Sequence, residues 1–294
     1  GRIHDLIPEN LEVWMNNGVN RMSIGIQSFN TKVRQMVGRL DTKETVLERL
    51  AALKAYGQCS VVIDLIYGLP GQTMEVWEQD LADLVKSGVD GADLYQLNVF
   101  DGSDLNRDIT SGKVPPAATT SMQGDMFEFG RTYLEARAYR RLSAAHWSAN
   151  NRERSLYNIL AKAGVPMFPF GSGAGGNVDG YGMMLHRALK PYEDMVSRGE
   201  KPFMALMKQS DLQPFVNQVV SQLEQGYLDI NTLVAMDSRL DELNWLYKLW
   251  EKRGLVSYNG LLYKLTSAGE FWTVNITQST LEAMEYIITG KNSF

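Results

Sequence analysis

Three polar side chains stand where apolar runs of the sequence end. Asp64 lies inside the run Ile63–Tyr67, and the turn sequence Gly-Leu-Pro-Gly follows at once. Gln27 closes an earlier apolar run, and Asn98 lies late in a later one. A single polar group in such a place usually bonds to nearby polar groups, whereas three at the ends of neighbouring strands favour a ligand site. The sequence therefore predicts a site that contains these three side chains.

A second candidate is the glycine-rich segment 171–176, which matches the dinucleotide-binding pattern G-x-G-x-x-G. The following segment, 177–182, contains two more glycines and does not predict the helix that such a site requires. We therefore reject a dinucleotide site. Glycine backbone can approach a flat or bulky ligand closely, and a purely structural tight loop is an equal alternative.

The chain offers little for metal binding. Its single cysteine, Cys59, precedes an apolar run and is expected to be a buried thiol. The histidines share no metal-ligand spacing; they are His4, His146 and His186. His146 lies beside Trp147 and is expected to be a hydrogen-bonded structural residue. We predict no metal site from residues of this chain.

Helix and strand patterns alternate between residues 8 and 165. Strands are predicted at 22–26, 60–66 and 92–99. Helices are predicted at 8–18, from an N-cap at 41–44 to Gly57, and around 77–88, 121–139 and 154–164. Repeated β-α-β units indicate parallel strands with crossover helices, as a doubly wound sheet or a (β/α) barrel. Such barrels place their chemistry at the carboxyl ends of the strands.

The pattern changes at about residue 214. Helices are predicted at 215–223 and 240–253, and two short strands at 255–257 and 261–265. The dipeptide Asn259–Gly260 between the strands is a strong hairpin signal. We predict a winged-helix-like domain. Its acidic residues outnumber its basic ones, which argues against DNA binding.

Composition excludes several classes of function as a first interpretation. The 294-residue chain is 44% hydrophobic and has a formal net charge of −5. No block of like charges suggests binding to nucleic acid. No apolar run reaches the roughly 18 residues that span a bilayer, and the first residues do not resemble a signal peptide. We expect no membrane insertion and a cytoplasmic location.

Three segments together resemble the radical SAM family of oxygen-independent coproporphyrinogen dehydrogenases and their relatives. They are residues 18–29, 37–39 and 64–73. The glycine-rich segment and residues 265–269 are similar to later parts of these proteins. The resemblance therefore extends along most of the chain.

The resemblance implies an α/β fold with S-adenosylmethionine bound at a barrel rim. Residues 1–205 would form a partial (β/α) barrel, truncated at its N-terminal strands, and residues 206–294 the winged-helix-like domain. Arg39 matches an arginine that pairs with the cofactor's carboxylate, for which the forked guanidinium is suited. The implied cofactor-binding residues are Gln27, Arg39, Asp64, Phe100 and Gly175. No catalytic residue is implied.

One family motif is absent from the sequence. A Cys-x-x-x-Cys-x-x-Cys motif holds the family's [4Fe-4S] cluster, and one cysteine cannot supply three thiolates. In relatives this motif precedes the segment equivalent to Gly1. We expect the chain to be the carboxyl part of an enzyme, with cluster ligands upstream, and to be unable to run radical chemistry alone.

Segment 168–176 is most similar to the anaerobic haem-degrading methyltransferases of this family. The resemblance implies methyl transfer from S-adenosylmethionine to haem, opening of the macrocycle and release of iron. It implies haem or a related tetrapyrrole as substrate and an electron donor such as flavodoxin as partner. Two alternatives stay open: an oxygen-independent coproporphyrinogen III dehydrogenase and a haem-binding chaperone.

Overall fold

A computed structural model describes residues 1–291, which form two compact units. One unit runs from Gly1 to Arg154, and the other begins at Ser155. The boundary predicted between residues 205 and 206 falls inside the second unit and stays a prediction.

The first unit contains five strands and six α-helices. The strands are β1 (Arg21–Gln27), β2 (Ser60–Tyr67), β3 (Gly91–Gln96), β4 (Arg140–Arg141) and β5 (His146–Ser148). The helices are α1 (Pro8–Asn16), α2 (Thr31–Met36), α3 (Lys43–Ala55), α4 (Met74–Ser87), α5 (Asp104–Thr110) and α6 (Thr120–Glu135), and a 3-10 helix, Ile3–Asp5, precedes them. The sequence does not predict α2 and α5, which are too short to show a clear apolar period.

The five strands form one mixed sheet in the order β1-β2-β3-β5-β4. Strands β1, β2 and β3 run parallel, and α3 and α4 lie in the crossovers between them. Strand β5 returns antiparallel to β3, and β4 pairs antiparallel with β5. The predicted parallel arrangement is confirmed for the first three strands, whose carboxyl ends share one edge of the sheet.

Helices α4 and α6 pack with the apolar face of this sheet. Ile63 and Leu65 point to that face from β2 and are fully buried, as is Trp77 of α4. The indole Nε1 of Trp77 donates a hydrogen bond to the backbone oxygen of Met126 in α6 at 2.8 Å. Because side chains alternate along a strand, the residues between the apolar ones point to the opposite face. That opposite face carries the polar residues described below.

The position of Asn98 differs from the prediction. Strand β3 ends at Gln96, so Asn98 follows the strand instead of lying late in it. The N–H of Leu97 still donates to the backbone oxygen of Tyr67 at 3.0 Å. The chain then enters a turn in which Gly102 has a φ of 74°. The strand ends at Gln96, opposite Tyr67, because β2 ends there and offers no further partner.

The second unit contains two three-stranded antiparallel sheets and seven α-helices. Its strands are β6 (Gly175–Val178), β7 (Tyr181–Leu185), β8 (Phe203–Lys208), β9 (Tyr227–Leu228), β10 (Val256–Tyr258) and β11 (Tyr263–Leu265). Its helices are α7 (Leu156–Lys162), α8 (Leu189–Ser197), α9 (Gln213–Glu224), α10 (Ile230–Val234), α11 (Leu243–Lys252), α12 (Ser267–Phe271) and α13 (Thr273–Thr289), with a 3-10 helix at Ser238–Glu242. No helix within residues 1–291 combines the length and apolar character needed to cross a bilayer.

The predicted hairpin is confirmed as β10 and β11. The side-chain oxygen of Asn259 accepts hydrogen bonds from the backbone N–H groups of Leu261 and Leu262, and Gly260 has a φ of 91°. Strand β11 also pairs with β9, giving the order β10-β11-β9. Helices α9, α10 and α11 enclose an apolar core with this sheet, which includes fully buried Tyr247. The order of helices and hairpin is that of a winged helix.

Gly269 is required by a close backbone contact in the second unit. An added Cβ would lie 1.9 Å from the backbone oxygen of Leu255. We therefore expect Gly269→Ala to lower the free energy of unfolding by about 1–3 kcal/mol, through forced backbone movement. Urea unfolding measures this change.

The matched control is Gly124→Ala in α6, where nothing lies within 4 Å of the added Cβ. Alanine replaces glycine in a helix interior with a gain of about 0.5–1 kcal/mol. The same substitution should thus lower the free energy of unfolding at Gly269 and raise it at Gly124. Equal effects would contradict the packing described for Gly269.

Candidate functional site

A β-bulge at the carboxyl end of β1 aims Gln27. The pairing with β2 slips between Gly25 and Gln27, and Gln27 adopts a φ of 71°. The side-chain oxygen Oε1 of Gln27 is buried and has no hydrogen-bond partner in the described structure. Leaving a buried acceptor unpaired is costly, and bulges often re-aim a side chain next to a site. This acceptor is therefore available to a ligand that carries a hydrogen-bond donor.

Arg34 holds the backbone on either side of this bulge. Its side chain is only 1% exposed, and its Nη1 donates to the backbone oxygens of Ile26 and Ser28. Its Nε donates to the backbone oxygen of Asp41 at 2.8 Å. Burial lowers the pKa of the Arg34 guanidinium, which nevertheless keeps its carbonyl partners. Arg34 thus ties the end of β1 to the segment that follows α2.

Asp80 of α4 joins the segments that follow β1 and β2. Its carboxylate accepts hydrogen bonds from the Ser28 hydroxyl, from the Phe29 N–H at 2.7 Å, and from Nε2 of Gln72 at 3.1 Å. Burial raises the pKa of this carboxyl to about 6. The Oε1 of Gln72 accepts in turn from the N–H groups of Gly68 and Leu69. The Gly-Leu-Pro-Gly turn is therefore fixed to the same carboxylate as the end of β1.

A cavity of about 410 Å³ opens at this carboxyl edge. It is lined by Gln27, Met36, Val37, Gly38, Arg39, Ile66, Leu69, Leu97, Asp104, Leu105 and Asp108. Its volume lies in the range of small-molecule sites. The walls are mostly apolar, with one amide, one guanidinium and two carboxylates. This combination suits a ligand that has both an apolar part and charged groups.

Arg39 lines this cavity and also a neighbouring one of about 420 Å³. Gly25, Arg2 and Asp41 line the second cavity. Burial lowers the pKa of Arg39, and the positive charge of Arg2 lowers it further. Three guanidiniums line this second cavity, those of Arg2, Arg34 and Arg39, and together they outnumber the single carboxylate of Asp41 and attract an anion more strongly than one would alone. The region around Arg39 is thus suited to a carboxylate or a similar anion.

Asp64 lies on the polar face of β2, beside Gly25 of β1 in the strand register. The Ser23 hydroxyl donates a hydrogen bond to its Oδ1 at 2.8 Å. Burial raises the pKa of Asp64, and the hydrogen bond from Ser23 opposes that shift. Asp64 does not line the 410 Å³ cavity, but its charge acts on the guanidinium of Arg39. The structure thus brings Gln27, Arg39 and Asp64 to one region.

Of the other two predicted residues, one lies outside this cavity and the other belongs to the second unit. Phe100 follows β3 and is 72% exposed, and it does not line the cavity. Gly175 begins β6 in the second unit, and an added Cβ there would make only ordinary contacts. At Gly176, by contrast, the Cβ would lie 2.3 Å from the backbone oxygen of Met167. The cofactor roles of all five residues stay predictions.

Sequence reasoning misses Asp80 and Arg34, which position the site. A signal for Asp80 exists, because it stands between Trp77 and Leu81 on the apolar face of α4. A carboxylate on a buried helix face needs donors, and this structure supplies them. No comparable signal marks Arg34, whose hydrogen-bond acceptors are backbone oxygens and whose ion-pair partner is Asp41.

The described residues do not fit a [4Fe-4S] cluster. Cys59 is buried, as expected, and its thiol donates to the backbone oxygen of Ser60. Burial raises the pKa of Cys59 to about 11, which keeps it a thiol instead of the thiolate that a cluster needs. No group of three or more His, Cys, Asp or Glu residues in positions 1–291 has the arrangement of a metal site.

The raised pKa of Asp80 predicts a pH dependence of stability. The folded state binds the Asp80 proton more tightly than the unfolded state does, so this group's contribution is present below about pH 4 and is lost as the pH rises through 6. Asp80→Asn places an amide N–H₂ among three donors. We expect it to lower the free energy of unfolding at pH 7 by about 1–3 kcal/mol.

Urea unfolding at pH 4 and pH 7 measures both effects. The wild type should gain stability relative to Asp80→Asn as the pH falls from 7 to 4. The control is Asp125→Asn, an exposed position of α6, which should change stability by less than about 0.5 kcal/mol. An identical pH dependence in wild type and Asp80→Asn would contradict the raised pKa.

Known proteins are similar to this chain along most of its length. Residues 1–112 match the model of the radical SAM superfamily. The chain is 33% identical over 288 residues to anaerobilin synthase of Escherichia coli O157:H7, which covers 98% of this chain and 64% of that protein. It is 27% identical over 242 residues to the heme chaperone HemW of Lactococcus lactis subsp. lactis, which covers 76% of this chain and 63% of that protein.

A solved structure supports the fold. Coproporphyrinogen III oxidase (HemN) from Escherichia coli, a radical SAM enzyme, superposes with a TM-score of 0.76 at 19% identity, over 95% of this chain and 68% of that one. The chain spans less than two thirds of the length of the two curated relatives above. The family model over residues 1–112, the two relatives and the shared fold agree that the chain is similar to radical SAM proteins.

Proposed function

We propose that this chain binds S-adenosylmethionine at the carboxyl edge of its parallel strands and serves the methylation and anaerobic opening of haem. The observation that carries the proposal is the buried Oε1 of Gln27, an acceptor without a partner in the described structure, in the same cavity as Arg39. The superfamily implies S-adenosylmethionine as a cofactor.

The donors and acceptors of the cavity fit this cofactor. The amino-acid end of S-adenosylmethionine carries a carboxylate and an ammonium group. The guanidinium of Arg39 can bind the carboxylate through two parallel hydrogen bonds, and Oε1 of Gln27 can accept from the ammonium group or a hydroxyl. Ile66, Leu69 and Leu97 offer apolar surface to the adenosine part. When bound, the cofactor supplies the methyl group or, on reduction, a radical.

The role proposed for these residues is binding and orientation. Arg34 and Asp80 hold the backbone at Gln27, so the amide is fixed before the ligand arrives. Fixed groups lose little entropy on binding, which favours one orientation of the cofactor. The proposal assigns no step to an iron–sulfur cluster, because the described residues do not provide its ligands.

Haem is proposed as the substrate because the 33% identity to anaerobilin synthase extends over 98% of this chain. The proposal includes an electron donor such as flavodoxin and a cytoplasmic location. Two other functions have support from similarity: that of a heme chaperone, from the match to HemW, and that of a coproporphyrinogen III oxidase, from the shared fold.

Binding of two related ligands tests the role of Arg39. Arg39→Lys keeps the charge but loses the forked pair of hydrogen bonds. We expect the Kd for S-adenosylmethionine to rise about tenfold, equivalent to about 1.4 kcal/mol, in isothermal titration calorimetry. The Kd for 5′-methylthioadenosine, which lacks the amino-acid end, should stay unchanged. Equal losses for both ligands would contradict the proposed orientation.

The matched control for this test is Arg137→Lys. Arg137 is exposed and lies over the ring of Tyr133, away from the cavity residues. Both ligands should bind this variant as they bind the wild type. Failure of the wild type to bind S-adenosylmethionine at all would overturn the proposed function itself.

The cysteine count predicts the outcome of cluster reconstitution. One buried thiol cannot replace three thiolates, so the purified chain treated with iron, sulfide and reductant should form no stable [4Fe-4S] cluster. Visible absorption and the search for 5′-deoxyadenosine check this expectation. Reductive cleavage of S-adenosylmethionine by the chain alone would contradict this expectation.

Substrate choice is tested with a form of the protein that carries the family's three-cysteine motif. Incubation with haem and, separately, with coproporphyrinogen III shows which tetrapyrrole is consumed. Methylated, ring-opened product from haem supports the proposal. Decarboxylation of coproporphyrinogen III supports the oxidase, and haem that is bound but unchanged supports the chaperone.

A further inference from the structure

The polar face of the sheet carries a row of facing residues across four strands. Gly25, Asp64, Asp93 and His146 are consecutive register partners from β1 to β2, β3 and β5. Neighbouring residues in such a row lie about 5 Å apart. Two carboxylates and an imidazole are thus adjacent, and the row ends at Gly25, which lines the cavity shared by Arg39.

His146 lies between two carboxylates and is fully buried. Its Nδ1 forms a hydrogen bond with Oδ1 of Asp93 at 2.9 Å. Its buried Nε2 is 3.3 Å from Oε1 of Glu153, an ion-pair distance without hydrogen-bond geometry. A neutral imidazole has one N–H, whereas an imidazolium can offer an N–H to each side. Burial opposes the charge, but the hydrogen bond with Asp93 and the negative charges of Asp93 and Glu153 outweigh it and raise the pKa of His146 to about 9.

The remaining charges of this face complete the arrangement. Arg21 of β1 donates from Nε to Oε2 of Glu153 at 2.9 Å, and the Ser60 hydroxyl donates to the same oxygen at 3.1 Å. The charged groups that act on Asp64 are Asp93, Arg21 and the amino group of Gly1, and Asp64 in turn acts on Arg39. His146 and Arg21, with the amino group of Gly1 near Asp64, therefore face the carboxylates of Asp64, Asp93 and Glu153.

We propose that His146 is a positioning residue: as a buried imidazolium it neutralises Asp93 and Glu153, and so leaves Asp64 ionised at the rim of the ligand site. The part of this inference that concerns a ligand rests on the proposed binding of S-adenosylmethionine. The part that concerns charge rests only on the contacts of His146. An ionised Asp64 accepts hydrogen bonds from hydroxyl or ammonium groups, whereas a protonated one loses part of that capacity.

Removal of the His146 cation should change the pKa of Asp64 in a known direction. In His146→Gln the carboxylates of Asp93, Glu153 and Asp64 lose the imidazolium, while Arg21 and the amino group of Gly1 remain. Like charges disfavour one another's ionised form, so the apparent pKa of Asp64 rises. We expect its midpoint to move up by about one pH unit. In His146→Gln/Asp93→Asn one carboxylate is removed as well, and the midpoint should return towards the wild-type value.

The first experiment uses the ligand-free wild-type chain. Side-chain ¹⁵N spectra report the protonation of His146, whose ring signals are assigned by through-bond correlation to its own backbone resonances. We expect both ring nitrogens of His146 to carry a proton from pH 6 to pH 8. A neutral ring at pH 7 would overturn the proposal, and this result depends on no variant folding.

The second experiment follows the Asp64 carboxyl carbon and the Kd for S-adenosylmethionine against pH. We expect the midpoints of both curves to rise together in His146→Gln and to recover in the double variant. The control is His186→Gln, in the second unit, which should leave both curves unchanged. An unshifted Asp64 midpoint in folded His146→Gln would overturn the inference. If the wild type binds no S-adenosylmethionine, the proposed function fails, and the carbon titration alone decides the role of His146.

Discussion

One buried carboxylate holds the candidate site together. Asp80 accepts hydrogen bonds from the segment after β1 and from Gln72, which itself fixes the turn after β2. These donors come from separate loops. Because a buried carboxylate is stable only while it keeps its donors, Asp80 holds the ends of two strands in a fixed relation. The position of the bulge at Gln27 and the shape of the adjacent cavity depend on that relation.

The two faces of the sheet have different roles. The face towards the helices is apolar and fully buried, and its packing supplies stability. The opposite face carries Asp64, Asp93 and His146 in one row, where charges must be balanced within the structure. An ionic network on a sheet face contributes little net stability, but it fixes which groups are charged. That property matters at a ligand site and not in a core.

The sequence predicts the parts of this structure that have a local signal. The parallel strands and the Asn259–Gly260 hairpin follow from hydrophobic period and turn chemistry. The short strands of the second unit, β6 to β8, have no clear period and are missed. Gln27 and Asp64 are found because polar residues at strand ends are conspicuous, while Arg34 acts through backbone oxygens that no pattern of side chains reveals. His146 is correctly expected to be hydrogen-bonded, but its partner Asp93 comes from a distant strand, and no local pattern marks Glu153 as the second carboxylate beside it.

The most direct test of the central claim is a map of ligand contacts in solution. Side-chain amide and guanidinium NMR signals of the chain can be followed while S-adenosylmethionine is added. The account predicts that the Gln27 side-chain amide and the Arg39 Nε–H signals shift together, and that those of Arg137 do not. Saturable binding that leaves Gln27 and Arg39 unchanged would contradict it.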